Sequence, residues 1–144
     1  FDFIKEVIDE NGKMDFWKVN MRPGKPLAFG AYRGIPFIGL PGNPVSTAVG
    51  LRFFVMPLLR MMLGQSPETP SCAILAEDYN SHKSGLRFFL RGALVCDGGG
   101  VNRISIVARQ QSFMVSPFVR SNSWVMIPED AGQLKCGDAV QVYQ

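Results

Sequence analysis

The chain has 144 residues, 47% of them hydrophobic and 19% charged, with a formal net charge of +3. That composition fits one globular domain or two small ones and excludes a disordered binding arm. Cys72, Cys96 and Cys136 are odd in number and widely spaced, so neither a disulfide framework nor a zinc site is indicated, and free thiols point to the cytoplasm.

The charge is unevenly distributed. Residues 1–15 sum to −3, residues 16–67 contain six cations and no acid, and residues 68–144 balance to zero. An apolar, acid-free middle segment suits an anionic ligand; the alternative is that it is largely buried with its cations solvated at the edges. Arg52, Arg60 and the prolines interrupt the most apolar stretch, so no membrane span is expected. The chain starts at Phe1 and opens straight into a helical pattern, which suggests a piece of a longer protein.

In chain order, Phe3, Ile4, Val7 and Ile8 predict a helix from Asp2 to Asn11, ended by Gly12. Strand-like runs follow at Asp15–Met21, Leu27–Arg33 and Ile35–Leu40, the first two separated by Arg22-Pro23-Gly24-Lys25-Pro26. A long apolar helix is expected from Asn43 to about Leu63, with Asn43 at the N-cap, Pro44 at the first helical position and Pro57 kinking or breaking it. Gln65–Ser71 reads as a linker. Beyond it, short strands at Ala73–Tyr79, Leu86–Cys96, Ile104–Gln110, Trp124–Ile127 and Ala139–Tyr143 predict a small barrel or sandwich. The fold class is thus an α/β fragment, strands plus a long helix of a three-layer domain, over residues 1–66, followed by an all-β barrel-like domain over 67–144.

Three constellations could carry chemistry. The strand, Pro41-Gly42-Asn43-Pro44, helix sequence, running on to Ser46, aims backbone N–H groups and a helix dipole at one spot suited to phosphate; the alternative is an ordinary Asn-Pro cap with no ligand. On a strand over Asp15–Met21, Lys18 and Arg22 would share a face with Lys25 nearby, making a cation clamp. Arg87 and Arg91 flank Phe88-Phe89, and Gln110-Gln111-Ser112 closes another run. The single histidine, His82, lies in a polar loop, so no Ser-His-Asp or Cys-His arrangement is supported.

The string Phe16-Trp17-Lys18-Val-Asn-Met-Arg22-Pro-Gly-Lys-Pro-Leu-Ala-Phe-Gly, then Gly39-Leu-Pro-Gly-Asn-Pro-Val-Ser46, Arg87-Phe-Phe-Leu-Arg91-Gly and Ile127-Pro-Glu-Asp130, resembles the molybdopterin molybdenumtransferase family. That family includes bacterial molybdenum-insertion proteins and the E domain of gephyrin. The resemblance implies insertion of molybdate into adenylylated molybdopterin with release of AMP, Mg2+ assisting, in homodimers whose cleft both subunits complete. It maps the cleft lysines onto Lys18 and Arg22, the latter a planar fork in place of a point charge. It maps the loop prolines onto Pro41 and Pro44, an acidic residue on the metal or molybdate side onto Asp2, and positions linked to activity onto Arg91 and Ser112, with Gln111 where a Gly is common. By resemblance the chain is about the last third of an enzyme, and the fragment alone is expected to be inactive. A scaffold module presenting a partner groove on the β domain is the alternative from another class. Nucleic-acid binding is disfavoured because the basic segment is apolar and carries no recognisable motif.

Overall fold

A computed structural model describes residues 8, 10–80, 85–108 and 115–144. The predicted first helix therefore lies mostly outside the described residues, although Ile8, Glu10 and Asn11 are helical and strand begins at Gly12. Strands β1 (Gly12–Phe16), β3 (Ala28–Tyr32) and β4 (Ile35–Gly39) form an antiparallel sheet in the order β1-β3-β4. Arg33 and Gly34 both have positive φ, 49° and 79°, the backbone that a two-residue hairpin requires when Tyr32 pairs with Ile35.

The expected strand Asp15–Met21 is corrected. It ends at Phe16, and Trp17–Asn20 is irregular before the two-residue strand β2 (Met21–Arg22). The Val19 N–H donates to the Lys25 carbonyl at 2.9 Å and the Met21 N–H to the Val19 carbonyl at 2.8 Å, so the backbone folds on itself instead of extending. Lys18 is therefore on no strand, and the argument that it shares a strand face with Arg22 fails. The chain leaves the small sheet here because β2 pairs in parallel with a barrel strand, Met21 opposite Arg87 and Arg22 opposite Phe88.

The long helix runs over Pro44–Met62 and is not broken at Pro57. Leu51–Val55 forms a π-helical turn, closed by the Met56 N–H on the Leu51 carbonyl. Proline lacks the N–H that would bond Phe53 and crowds that carbonyl; widening the turn just before it accommodates the ring without ending the helix. By length and composition this helix could cross a membrane, which corrects the expectation that no stretch approaches that length: Arg52 and Arg60 do not offset the surrounding apolar residues. Its Val49, Phe53 and Phe54 pack on protein.

Strands β5 (Ser71–Leu75), β6 (Arg87–Cys96), β7 (Asn102–Ile106), β8 (Ser123–Ile127) and β9 (Ala139–Tyr143) follow in the order β6-β7-β5-β9-β8, and pairing of β6 with β8 closes a five-stranded barrel. Alternation assigns the side chains to two layers. Leu75, Phe88, Leu90, Ile104, Val125 and Val142 fill the interior. Phe89 and Trp124 face outward and join Met21, Leu27 and Val49 in a second core against the helix. The Phe53 ring lies 4.2 Å from Phe89, 5.8 Å from Trp124 and 5.2 Å from Tyr143, within the range where aromatic pairs add to simple burial. Arg52 ties the same seam: it donates to Glu68 Oε1 at 2.6 Å and to the Gln144 carbonyl at 2.8 Å.

Gly92 is where β6 changes partner, pairing with Ser123 of β8 and Ile106 of β7. A Cβ there would stand 2.7 Å from Ile104 Cδ1 and 3.1 Å from Val125 Cγ2. Gly92→Val is therefore expected to cost about 2 kcal/mol or more by overpacking, read as a lowered midpoint in denaturant unfolding. Stability should also depend on acid through the seam. The hydrogen bond from Arg52 holds the Glu68 carboxyl below its usual 4.5, and a depressed carboxylate contributes stability above its unfolded pKa that is lost as pH falls through the folded value. Glu68→Gln is expected to lower stability near neutrality by about 1 kcal/mol, with the variant and parent curves converging as the pH drops below about 4.5.

Candidate functional site

A cleft of about 890 Å³ opens between the two parts of the chain. One wall is the loop Arg22-Pro23-Gly24-Lys25-Pro26 with Pro41, Asn43 and Ser46; the other is the barrel mouth, where Glu77, Asp78 and Tyr79 stand above Phe88, Leu90 and Ile106. The first loop is pinned at both ends, since Met21 and Leu27 are buried in the second core. Gly24, at φ 104°, makes the turn between them. Two fixed ends hold Arg22 and Lys25 at the rim, where neither side chain has a hydrogen bond or ion pair among the described residues.

The helix entrance behaves differently from the expectation of free donors. Asn43 Oδ1 accepts from the Val45 N–H at 3.2 Å and the Ser46 N–H at 3.5 Å, and the Thr47 hydroxyl donates to the Pro41 and Asn43 carbonyls. The cap spends donors that were expected to face an anion. Asn43 thus shapes the cleft wall chiefly as a cap, leaving the charge of the wall to Arg22 and Lys25.

The cleft brings together Arg22, Lys25, Pro41, Asn43 and Ser46. Lys18 is exposed and, like Gly42 and Pro44, outside its lining. Asp2 and Ser112 lie outside the described residues, as does His82. Arg91 is not brought to the cleft either. On β6 it takes the face opposite to Phe88 and Leu90, which line the cleft, and is buried. Its guanidinium lies 4.4 Å from the Trp124 ring centroid and 4.8 Å from that of Phe118, and it donates to Ser121 Oγ at 2.8 Å and to the Ser121 carbonyl at 3.2 Å. Burial lowers its pKa, yet a guanidinium stays charged, and the two rings supply a cation–π environment in place of water.

Sequence reasoning missed Glu77, Asp78 and Tyr79 because it ran the strand on to Tyr79. The strand stops at Leu75, which turns these residues into the barrel mouth; two adjacent acids after an apolar run were the available signal. Asp78 is held below the usual carboxylate range, first by the Cys136 N–H and then by Lys135. Burial pushes the Tyr79 phenol up while the Arg22 charge opposes it, which places Arg22 within electrostatic reach of the opposite wall. Among the described residues no group of three His, Cys, Asp or Glu side chains converges on a point that could hold a metal ion. Asp2, the residue assigned to a metal, is outside the described residues. Asn43→Ala is expected to lower thermal stability by about 1 kcal/mol, whereas Asn43→Asp retains the cap.

Residues 73–144 match the family described as MoeA C-terminal region (domain IV), and residues 1–61 match a probable molybdopterin binding domain. The chain is 34% identical over 143 residues to the molybdopterin molybdenumtransferase of Haemophilus influenzae, covering 98% of this chain and 35% of that protein. It is 28% identical over 145 residues to the molybdopterin molybdenumtransferase of Bacillus subtilis, covering 99% of this chain and 33% of that protein. The solved structure of the molybdopterin biosynthesis MoeA protein of Pyrococcus horikoshii superposes with a TM-score of 0.75 at 30% identity, over 98% of this chain and 34% of that one. The chain spans about a third of the length of these relatives. With half of its residues inside the C-terminal-region family and its fold shared with a solved member, the chain belongs to the MoeA family.

Proposed function

We propose that the chain works in molybdenum cofactor biosynthesis as the C-terminal third of a cytoplasmic, homodimeric molybdopterin molybdenumtransferase, which inserts molybdate into adenylylated molybdopterin with release of AMP. Residues 1–66 would close the molybdopterin-binding domain and 67–144 would form the C-terminal barrel. The observation that carries this reading is the cleft itself, with Arg22 and Lys25 on one wall and an apolar floor beneath them.

In this reading Arg22 and Lys25 take the phosphate oxygens of the substrate. The Arg22 fork can engage two oxygens at once and orient the phosphate, whereas Lys25 supplies a charge that follows it. Pro23 and Pro26 limit the freedom of the loop between them, so little ordering is left to be done when substrate arrives. The contribution of these residues is positioning and charge stabilisation in a partly water-excluded cleft. Molybdate, an oxyanion, is attracted by the same cations. Lys18, outside the lining, would act at longer range as part of the same field.

The test is molybdenum insertion by an enzyme carrying this chain as its C-terminal part. Arg22→Ala is expected to lower the rate roughly 100-fold, within the range for loss of one charge-stabilising donor, with Arg22→Lys recovering part of it and Lys18→Ala costing less. Unchanged insertion by Arg22→Ala would sink the reading.

A further inference from the structure

In the lining that it shares with the cations, the barrel mouth holds Glu77 between anchored neighbours. The Ala76 N–H donates to the Ile104 carbonyl and the Tyr79 N–H to the Leu134 carbonyl, each at 2.9 Å. Asp78 is spent on both oxygens: Oδ1 accepts the Cys136 N–H at 2.8 Å and Oδ2 the Lys135 ammonium at 3.3 Å. Glu77 itself lines the cleft and has no hydrogen bond or ion pair among the described residues. A fixed backbone therefore places a carboxylate with no hydrogen bond or ion pair among the described residues in the same lining as Arg22 and Lys25.

A carboxylate is the wrong group for a phosphate and the right one for paired N–H donors, because it is acceptor-only and can take two parallel bonds. The half-buried Tyr79 beside it offers apolar surface for a flat ring. A cleft whose walls differ in sign, with aromatic surface between, is built for a ligand that is anionic at one end and donor-rich at the other.

We propose that Glu77 is a specificity-determining residue. Its carboxylate receives the N–H and amino donors of a 2-amino-4-oxo-pyrimidine edge, the edge that a pterin presents, while Arg22 and Lys25 hold the phosphate of the same molecule. The assignment rests on the reading of the cleft as a molybdopterin site and names the group that recognises its heterocycle.

The experiment titrates the chain and its Glu77→Gln variant calorimetrically with hydroxymethylpterin phosphate, GMP, AMP and inorganic pyrophosphate. GMP shares the donor edge of the pterin; AMP lacks it, and pyrophosphate has no ring. Glu77→Gln is expected to weaken the pterin phosphate and GMP roughly 10- to 100-fold, the worth of a charge-assisted hydrogen bond, and to leave AMP and pyrophosphate unchanged or slightly tighter. Equal changes for all four ligands would mean that Glu77 acts only by repelling anions and would overturn the proposal. Arg22→Ala separates the two readings by weakening every phosphate ligand alike. A Glu77-dependent pterin preference together with full molybdenum insertion by Arg22→Ala would remove the catalytic reading and keep this one. Binding of pyrophosphate without any pterin preference would do the reverse, and no binding by the parent chain would remove both.

Discussion

The ring of Phe53 lies 4.2 Å from that of Phe89, and the cleft exists because this contact holds the long helix against the outside of the barrel. β6 makes that possible by using both faces: Phe88 and Leu90 fill the barrel, while Phe89 and Arg91 face away from it. The helix thereby fixes the loop Pro41–Ser46 at its own start, and the parallel pairing of β2 with the first residues of β6 fixes Arg22. Each wall of the cleft is positioned by the same strand. Loss of packing at Phe53 would let the walls drift without unfolding either part, which is how a residue remote from the ligand governs the site.

The strength of this seam comes from more than apolar area. Arg52 spans helix, linker and chain end through Glu68 and Gln144, with its guanidinium 5.6 Å from the Phe53 centroid and 5.8 Å from that of Tyr143. Its arginine character matters, since the planar head stacks on rings while its edge donates. Arg91 repeats the device on the barrel with Trp124, Phe118 and Ser121. Two of the chain's cations thus serve in packing, and the charge available to a ligand is smaller than the sequence total implies.

Much of the fold was legible because its signals are local. The apolar run in Arg87–Cys96, alternation in Ala139–Tyr143, the Asn43-Pro44 start and the apolar run after it each determine their own element. The failures share a cause, which is that a tertiary partner overrode a local pattern. Asp15–Met21 alternates well enough for a strand, but Val19 bonds back to Lys25 and Met21 is claimed by β6. Pro57 looked like a helix breaker because the π-turn that absorbs it cannot be read from composition. Within the site, Arg22 and Lys25 were visible as cations in an acid-free segment, whereas Glu77 and Asp78, though legible as adjacent acids, were hidden inside a strand extended past Leu75 to Tyr79.

The acids in the cleft alter what the acid-free stretch of residues 16–67 means. Taken alone, six cations without an acid describe a general attractor of anions. Folded, Arg52 is paired with Glu68, Arg33 sits in the hairpin turn over Tyr32, and Arg22 and Lys25 share their cleft with acids supplied by residues more than 50 positions later. An anion entering this cleft meets attraction on one wall and repulsion on the other, so a bare phosphate gains less here than it would from the cations alone. A ligand that places its charge on one side and N–H donors on the other avoids the repulsion and uses it, because the same carboxylate that repels a misplaced phosphate accepts a correctly placed donor. Charge separation across the cleft is then a means of orientation: it penalises the reversed pose and selects against anions that lack a donor edge.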